Sequence, residues 1–154
     1  MGVNTEKEIP KSPQSPLSFM GNRINDDFTP SPTNNQEIMI LLLQLDESKS
    51  TGPVDLPIRL IKIAAPLIVP VLVEIFNTSI TLGQFPNLMK LAKVIPIFKA
   101  GSALDVNNYR PISLLPIFSK LLEKIMHQRL YAFINKHNIL FESQFGFQKS
   151  RSTS

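Results

Sequence analysis

NNYRPISLLP, which spans Asn107–Pro116, is the stretch of this sequence that best defines its fold. Its YRPISLL portion follows a polar loop, Ala100–Asn108, and that loop follows AKVIPIFK, Ala92–Lys99, a short apolar run rich in β-branched residues. Two such runs around a glycine-containing loop are typical of an antiparallel β-hairpin. Pro96 lacks an amide hydrogen, so it favours an edge position or a bulge.

Two cations lie at the inner ends of the predicted strands. Lys99 ends the first strand and Arg110 begins the second, so the hairpin would place them roughly opposite each other. Like charges at cross-strand positions are destabilising unless a counter-charge is present. That counter-charge is either a bound anion, such as a phosphate group, or a carboxylate of the chain, Asp105 in the loop or Glu123 after it.

The chain before the hairpin is predicted to be helical. Thr33 followed by Gln36 resembles a capping box that starts an apolar helix over EIMILLLQL. The next apolar run, Ile58–Gly83, has helical spacing and is predicted as two helical pieces, because Pro66 and Pro70 interrupt the hydrogen-bond ladder. A glycine at the end of this run is a typical helix C-terminal stop.

The segment after the hairpin is the clearest amphipathic helix of the sequence. IFSKLLEKIMHQRLYAFINKHN carries one apolar stripe, with His127 off it on the side that faces solvent. The stripe consists of Phe118, Leu121, Leu122, Ile125, Met126, Leu130, Phe133 and Ile134. The sequence therefore predicts an α+β fold, mostly helical, with one short antiparallel hairpin.

Composition excludes several classes of protein. Residues 1–33 contain five prolines among Ser, Asn, Gln and Lys, so we predict a disordered tail. The chain has no cysteine and two well-separated histidines, which argues against disulfides and a structural zinc site. Charged residues near the N-terminus argue against a signal peptide, and the longest apolar run is too short to span a bilayer. We expect an intracellular protein, cytoplasmic or nuclear, that does not enter membranes.

The positive charge is concentrated in the C-terminal part. Residues 90–154 hold ten Lys/Arg and three Asp/Glu, a net charge of +7. Such a segment favours a polyanionic partner, nucleic acid or nucleotide phosphates, or it simply forms a solvated surface.

The motifs resemble a known family. Gly83–Ser154, with its blocks NYRPISLLP and FESQFGF, resembles the N-terminal conserved blocks of the reverse transcriptase of non-LTR (LINE-type) retrotransposons, and a weaker match extends upstream to Gln36. The resemblance implies residues 34–154 are a partial reverse transcriptase domain, the fingers and early palm of a right-hand polymerase, truncated before the catalytic aspartates.

The resemblance also implies roles for individual residues. Lys99 and Arg110 would reach the triphosphate of the incoming dNTP. A second group would lie along the RNA template and the nucleotide pocket: Gln144, Phe145, Gly146, Phe147, Lys149 and Arg151. The family's usual GFRKG is here GFQKS, which removes one cation and one glycine and predicts a weaker grip on the template.

The expected partners are an RNA template, a DNA primer and dNTP. The complete polymerase would use Mg²⁺ held by aspartates, whereas this chain is predicted to hold no metal and to be inactive alone. Asp26 and Asp27 resemble the paired aspartates but precede every other block.

Two alternatives remain, a noncatalytic relic or interaction protein and a basic nucleic-acid-binding module. Exposed apolar surface would favour self-association.

Overall fold

The computed structural model describes residues 25–49, 52–54, 56–140, 144 and 146. Within them lie three α-helices and one two-stranded antiparallel sheet, which confirms the predicted α+β class. The elements in chain order are α1 (Asn35–Leu43), α2 (Ile58–Leu82), β1 (Lys93–Phe98), β2 (Tyr109–Leu114) and α3 (Ile117–Lys136). Short 3₁₀ turns cover Asn87–Lys90 and Val106–Asn108.

The core lies entirely among the helices. α1 packs against α2 and α3, and no residue of β1 or β2 is buried, so the hairpin projects from the helical core with both faces accessible. The buried apolar residues are Ile38, Leu41, Leu42, Ile58, Ile61, Ala65, Val69, Leu72, Phe76, Ile117, Leu121, Leu122 and Ile125. Burial of this cluster is the main force that assembles α1, α2 and α3.

Helix α2 is continuous, and the predicted break at its two prolines is wrong. Pro66 and Pro70 lie one turn apart on the solvent-facing side of the helix. The carbonyls that lose their amide partners there can therefore be hydrated, while the opposite face stays packed. Gly83 ends the helix in the left-handed conformation with φ 63°, which confirms the predicted stop.

The start of α1 differs from the predicted capping box by one residue. Asn34 is the N-cap, and its side chain accepts a hydrogen bond from the Glu37 amide at 2.9 Å. Thr33 instead forms a reciprocal pair with the Asn77 side chain of α2, at 2.7 and 3.0 Å. Its hydroxyl donates to the Glu37 carboxylate at 2.6 Å.

Residues 25–33 lie against the helices, although we predicted disorder for all of residues 1–33. Phe28 meets Phe133 of α3 edge to face, with ring centroids 5.4 Å apart. Asp26 lies 3.7 Å from the Lys136 ammonium and 3.4 Å from Nε2 of His137. Residues 1–24 lie outside the described residues, and the prediction of disorder stays a prediction there.

One arginine of α3 forms hydrogen bonds both with this segment and with α1. Arg129 donates to both carboxylate oxygens of Glu37, at 3.0 and 2.8 Å, and to the carbonyls of Ser31 and Pro32. The hydrogen bond from Arg129 lowers the pKa of the Glu37 carboxyl against the opposing effect of burial. The side chain of Arg129 is 12% exposed, so this pair is largely shielded from solvent.

The predicted stripe of α3 is buried in its N-terminal half. Leu121, Leu122 and Ile125 are in the core, whereas Leu130 is 44% exposed. His127 is exposed and stacks on Tyr131, as expected for a residue off the stripe. Among the described residues, no helix has both the length and the apolar character needed to cross a bilayer.

Candidate nucleotide-binding hairpin

The strand register decides which side chains share a face of the hairpin. Ile97 pairs with Arg110 and Phe98 with Tyr109, and the ladder continues to Lys93 opposite Leu114. Because side chains alternate across a strand, one face carries the odd-numbered residues of β1 and the even-numbered residues of β2. That face contains an apolar centre with cations at both ends.

Lys99 and Arg110 lie on the same face but not directly opposite each other. Lys99 is one residue beyond β1, and its amide donates to the Asn108 carbonyl at 2.8 Å, which extends the ladder by one step. Arg110 is therefore a diagonal neighbour of Lys99, a relation that corresponds to about 7–8 Å between positions. Both residues are exposed.

The loop between the strands is held by its own side chains. The Asp105 carboxylate accepts from the amide and the side chain of Asn107, both at 2.9 Å. The Asn108 side chain donates to the Ser102 carbonyl, and the Tyr109 hydroxyl donates to Ala103. These bonds fix the end of the hairpin at which both cations lie.

Neither predicted carboxylate neutralises the two cations. Across the described part of the chain, no ion pair includes Lys99, Arg110, Asp105 or Glu123. Asp105 is used in the loop, and Glu123 is exposed on α3. Within the described residues, the two cations therefore have no carboxylate as counter-charge.

The sequence of this chain is similar to those of known polymerases. The chain is 33% identical over 123 residues to the RNA-directed DNA polymerase from mobile element jockey of Drosophila funebris, and 33% identical over 119 residues to that of Drosophila melanogaster. It is 32% identical over 123 residues to a probable RNA-directed DNA polymerase from transposon BS of Drosophila melanogaster. The chain is homologous to a segment of non-LTR retrotransposon RNA-directed DNA polymerases.

The match covers most of this chain and a small part of its relatives. It includes 77–79% of the chain but 13–14% of each of these three polymerases. No protein-family model matches the chain. The homology confirms the resemblance to non-LTR reverse transcriptases.

The predicted template contacts fall mostly outside the described residues. Phe145, Phe147, Lys149 and Arg151 are not among those described, while Gln144 and Gly146 are exposed. No hydrogen bond within the described part joins Gln144 to the hairpin. The structure thus brings Lys99 and Arg110 together and leaves the second group as a prediction.

The described carboxylates do not fit the magnesium ions that a polymerase uses. Within residues 25–49, 52–54 and 56–140, no group of three or more His, Asp or Glu side chains could hold a metal ion. Asp26, one of the paired aspartates noted in the sequence, lies beside Lys136 and His137 instead. A magnesium site needs several oxygen ligands in near-octahedral geometry, which scattered carboxylates do not supply.

Sequence reasoning missed the aromatic pair on the opposite face of the hairpin. Phe98 and Tyr109 meet edge to face, with centroids 5.5 Å apart. They form the last strand pair before the loop, directly beside the two cations. Aromatic residues at adjoining ends of two predicted strands are a signal that could have identified this pair and its register.

Proposed function

We propose that this chain supplies incoming-nucleotide contacts to an RNA-directed DNA polymerase. Lys99 and Arg110 bind the triphosphate of dNTP, and the segment Gln144–Phe147 with Lys149 and Arg151 lies along the RNA template. The observation that carries the proposal is the pair of exposed cations, unpaired among the described residues, on one face of a hairpin in a polymerase homologue.

The geometry of the pair suits a chain of phosphates. Diagonal positions about 7–8 Å apart let two side chains reach neighbouring phosphate groups rather than compete for one oxygen. Arg110 presents a planar fork to phosphate oxygens, and Lys99 adds a mobile point charge. The bound anion offsets the repulsion between the two cations.

The chain alone carries out no catalysis. Nucleotidyl transfer by polymerases depends on metal ions held by carboxylates, which stabilise the charge of the reacting phosphoryl group. The described carboxylates are scattered, so the metal ligands lie elsewhere in the polymerase. The chain contributes binding and orientation of the nucleotide.

A binding experiment on the chain tests the cation pair directly. dTTP and inorganic tripolyphosphate are titrated by calorimetry into the wild type, Arg110→Ala and Lys99→Ala. Loss of one charge-assisted contact corresponds to about 1.5–3 kcal/mol, so each variant should bind roughly ten- to a hundred-fold more weakly. Arg110→Lys should recover part of the loss, because it restores charge without the fork.

Lys93→Ala is the matched control. Lys93 is exposed on β1, on the face of the hairpin that carries Lys99 and Arg110, and its replacement by alanine also removes one positive charge. Lys93 lies four residues along β1 from Ile97, the strand partner of Arg110, which corresponds to about 13 Å. Its affinity for tripolyphosphate should change less than about two-fold. Equal weakening by all three alanine variants would overturn the proposal and indicate a general basic nucleic-acid-binding surface.

A further inference from the structure

Helix α2 has a second apolar face that no described element covers. One face is in the core, and the other carries Leu60, Ile63, Leu67, Val71 and Ile75, which we call the outer stripe. These residues are 51%, 68%, 81%, 58% and 38% exposed. Their spacing of three or four residues makes one continuous surface along four turns of the helix.

The outer stripe is large enough for a specific contact. At these exposures, complete burial of the five residues in both copies would remove on the order of 1,000 Å² of surface, which is the lower limit for a specific interface. The largest apolar patch on a typical monomer covers about 300–600 Å² and often has a function, so the outer stripe is a candidate interaction surface.

A single carboxylate lies in line with the outer stripe. Glu74 follows Leu67 by one heptad, as Leu67 follows Leu60, so it lies in line with the outer stripe. Burial of a carboxylate costs free energy unless a cation pairs with it. Within the described part of the chain, Glu74 has no ion-pair partner, and neither does Arg59 at the other end of the stripe.

We propose that the outer stripe binds a second copy of this chain, with the two α2 helices antiparallel around a two-fold axis at Leu67. Glu74 and Arg59 lie seven and eight residues from Leu67 on opposite sides, so each Glu74 comes level with Arg59 of the other copy. A parallel pair would place Glu74 against Glu74 and Arg59 against Arg59, which electrostatic repulsion opposes. This inference is independent of the nucleotide-binding role.

Sedimentation velocity over a concentration series tests the association. The wild type should dimerise at micromolar concentrations, and Leu67→Glu should weaken the dimer at least a hundred-fold, because it sets two carboxylates against each other at the axis. Leu88→Glu is the matched control, since Leu88 is also 81% exposed but lies outside α2. Circular dichroism should show the same helix content for both variants.

A charge exchange tests the orientation. Glu74→Arg and Arg59→Glu should each weaken the dimer, and the double variant should restore it, because the pair is re-formed with reversed signs. The absence of native cysteine allows a second test by single-cysteine variants oxidised with diamide. Leu67→Cys should cross-link, whereas two Leu60→Cys positions lie about 21 Å apart along antiparallel helices and should not.

Three results would overturn the proposal. The first is a wild-type chain that stays monomeric up to about 100 µM, roughly the range of weak association. The second is equal weakening by Leu67→Glu and Leu88→Glu. The third is cross-linking at Leu60→Cys as efficient as at Leu67→Cys, which would require parallel helices.

Discussion

Replacement of Arg129 by methionine should destabilise the fold more than any other single change to its ion pairs. The variant keeps an unbranched side chain on α3 but removes both hydrogen bonds to Glu37 and the bonds to Ser31 and Pro32. A bidentate, charge-assisted pair with little solvent exposure contributes about 1.5–3 kcal/mol, and truncation of one partner of a fully buried pair costs about 3–5. Glu37 keeps 27% exposure, so we expect a loss of about 3 kcal/mol.

Urea denaturation followed by circular dichroism measures this loss as a shift in midpoint. Lys136→Met is the control, because its ion pair with Asp26 spans 3.7 Å and both side chains are more than half exposed. That variant should cost less than about 1 kcal/mol. Arg129→Lys should fall between the two, since it keeps the charge and loses the fork. A loss below about 1 kcal/mol for Arg129→Met would refute the reasoning.

Three other outcomes are expected. The pKa of the Glu37 carboxyl is lowered in the folded state, so the ionised carboxylate stabilises the fold above its ordinary pKa of 4.5, and this stability is lost as pH falls through the lowered pKa. Urea midpoints should therefore fall over this pH range, and they should depend less on pH in Arg129→Met. Gly52→Ala should destabilise the fold more in thermal melts than Gly83→Ala, which should cost about 1 kcal/mol. An added Cβ would lie 2.4 Å from the Leu115 carbonyl oxygen at Gly52, whereas it would meet nothing within 4 Å at Gly83. Purified chain should extend no primer with Mg²⁺ or Mn²⁺, and template-dependent incorporation would contradict the proposed absence of catalysis.

Local patterns were sufficient to predict the hairpin and the limits of its flanking helix. β-branched residues, lysines and a glycine-containing loop identified β1 and β2, and apolar spacing identified α3. The register was less accurate, because Lys99 lies opposite Asn108 rather than Arg110. The closing bonds of the loop fix that register and do not follow from propensity, whereas the aromatic residues Phe98 and Tyr109 at the adjoining strand ends could have indicated it.

Features that depend on distant contacts were not predictable from the sequence. Proline propensity predicted a broken α2, whereas burial of its inner face keeps the helix continuous. The ordered path of residues 25–33 depends on Arg129 and Asn77, which are separated from it by 98 and 44 positions. A polar, proline-rich composition predicts disorder and does not reveal such partners.

The most direct test of the nucleotide-binding role is steady-state primer extension by a chimaera. Residues 1–154 replace the homologous segment of a mobile-element RNA-directed DNA polymerase, and Arg110→Ala is compared with Lys93→Ala. The account predicts that Arg110→Ala raises the KM for dNTP roughly ten- to a hundred-fold and leaves template affinity within about two-fold, while Lys93→Ala changes neither. Equal weakening toward dNTP and template in the Arg110→Ala enzyme would contradict it.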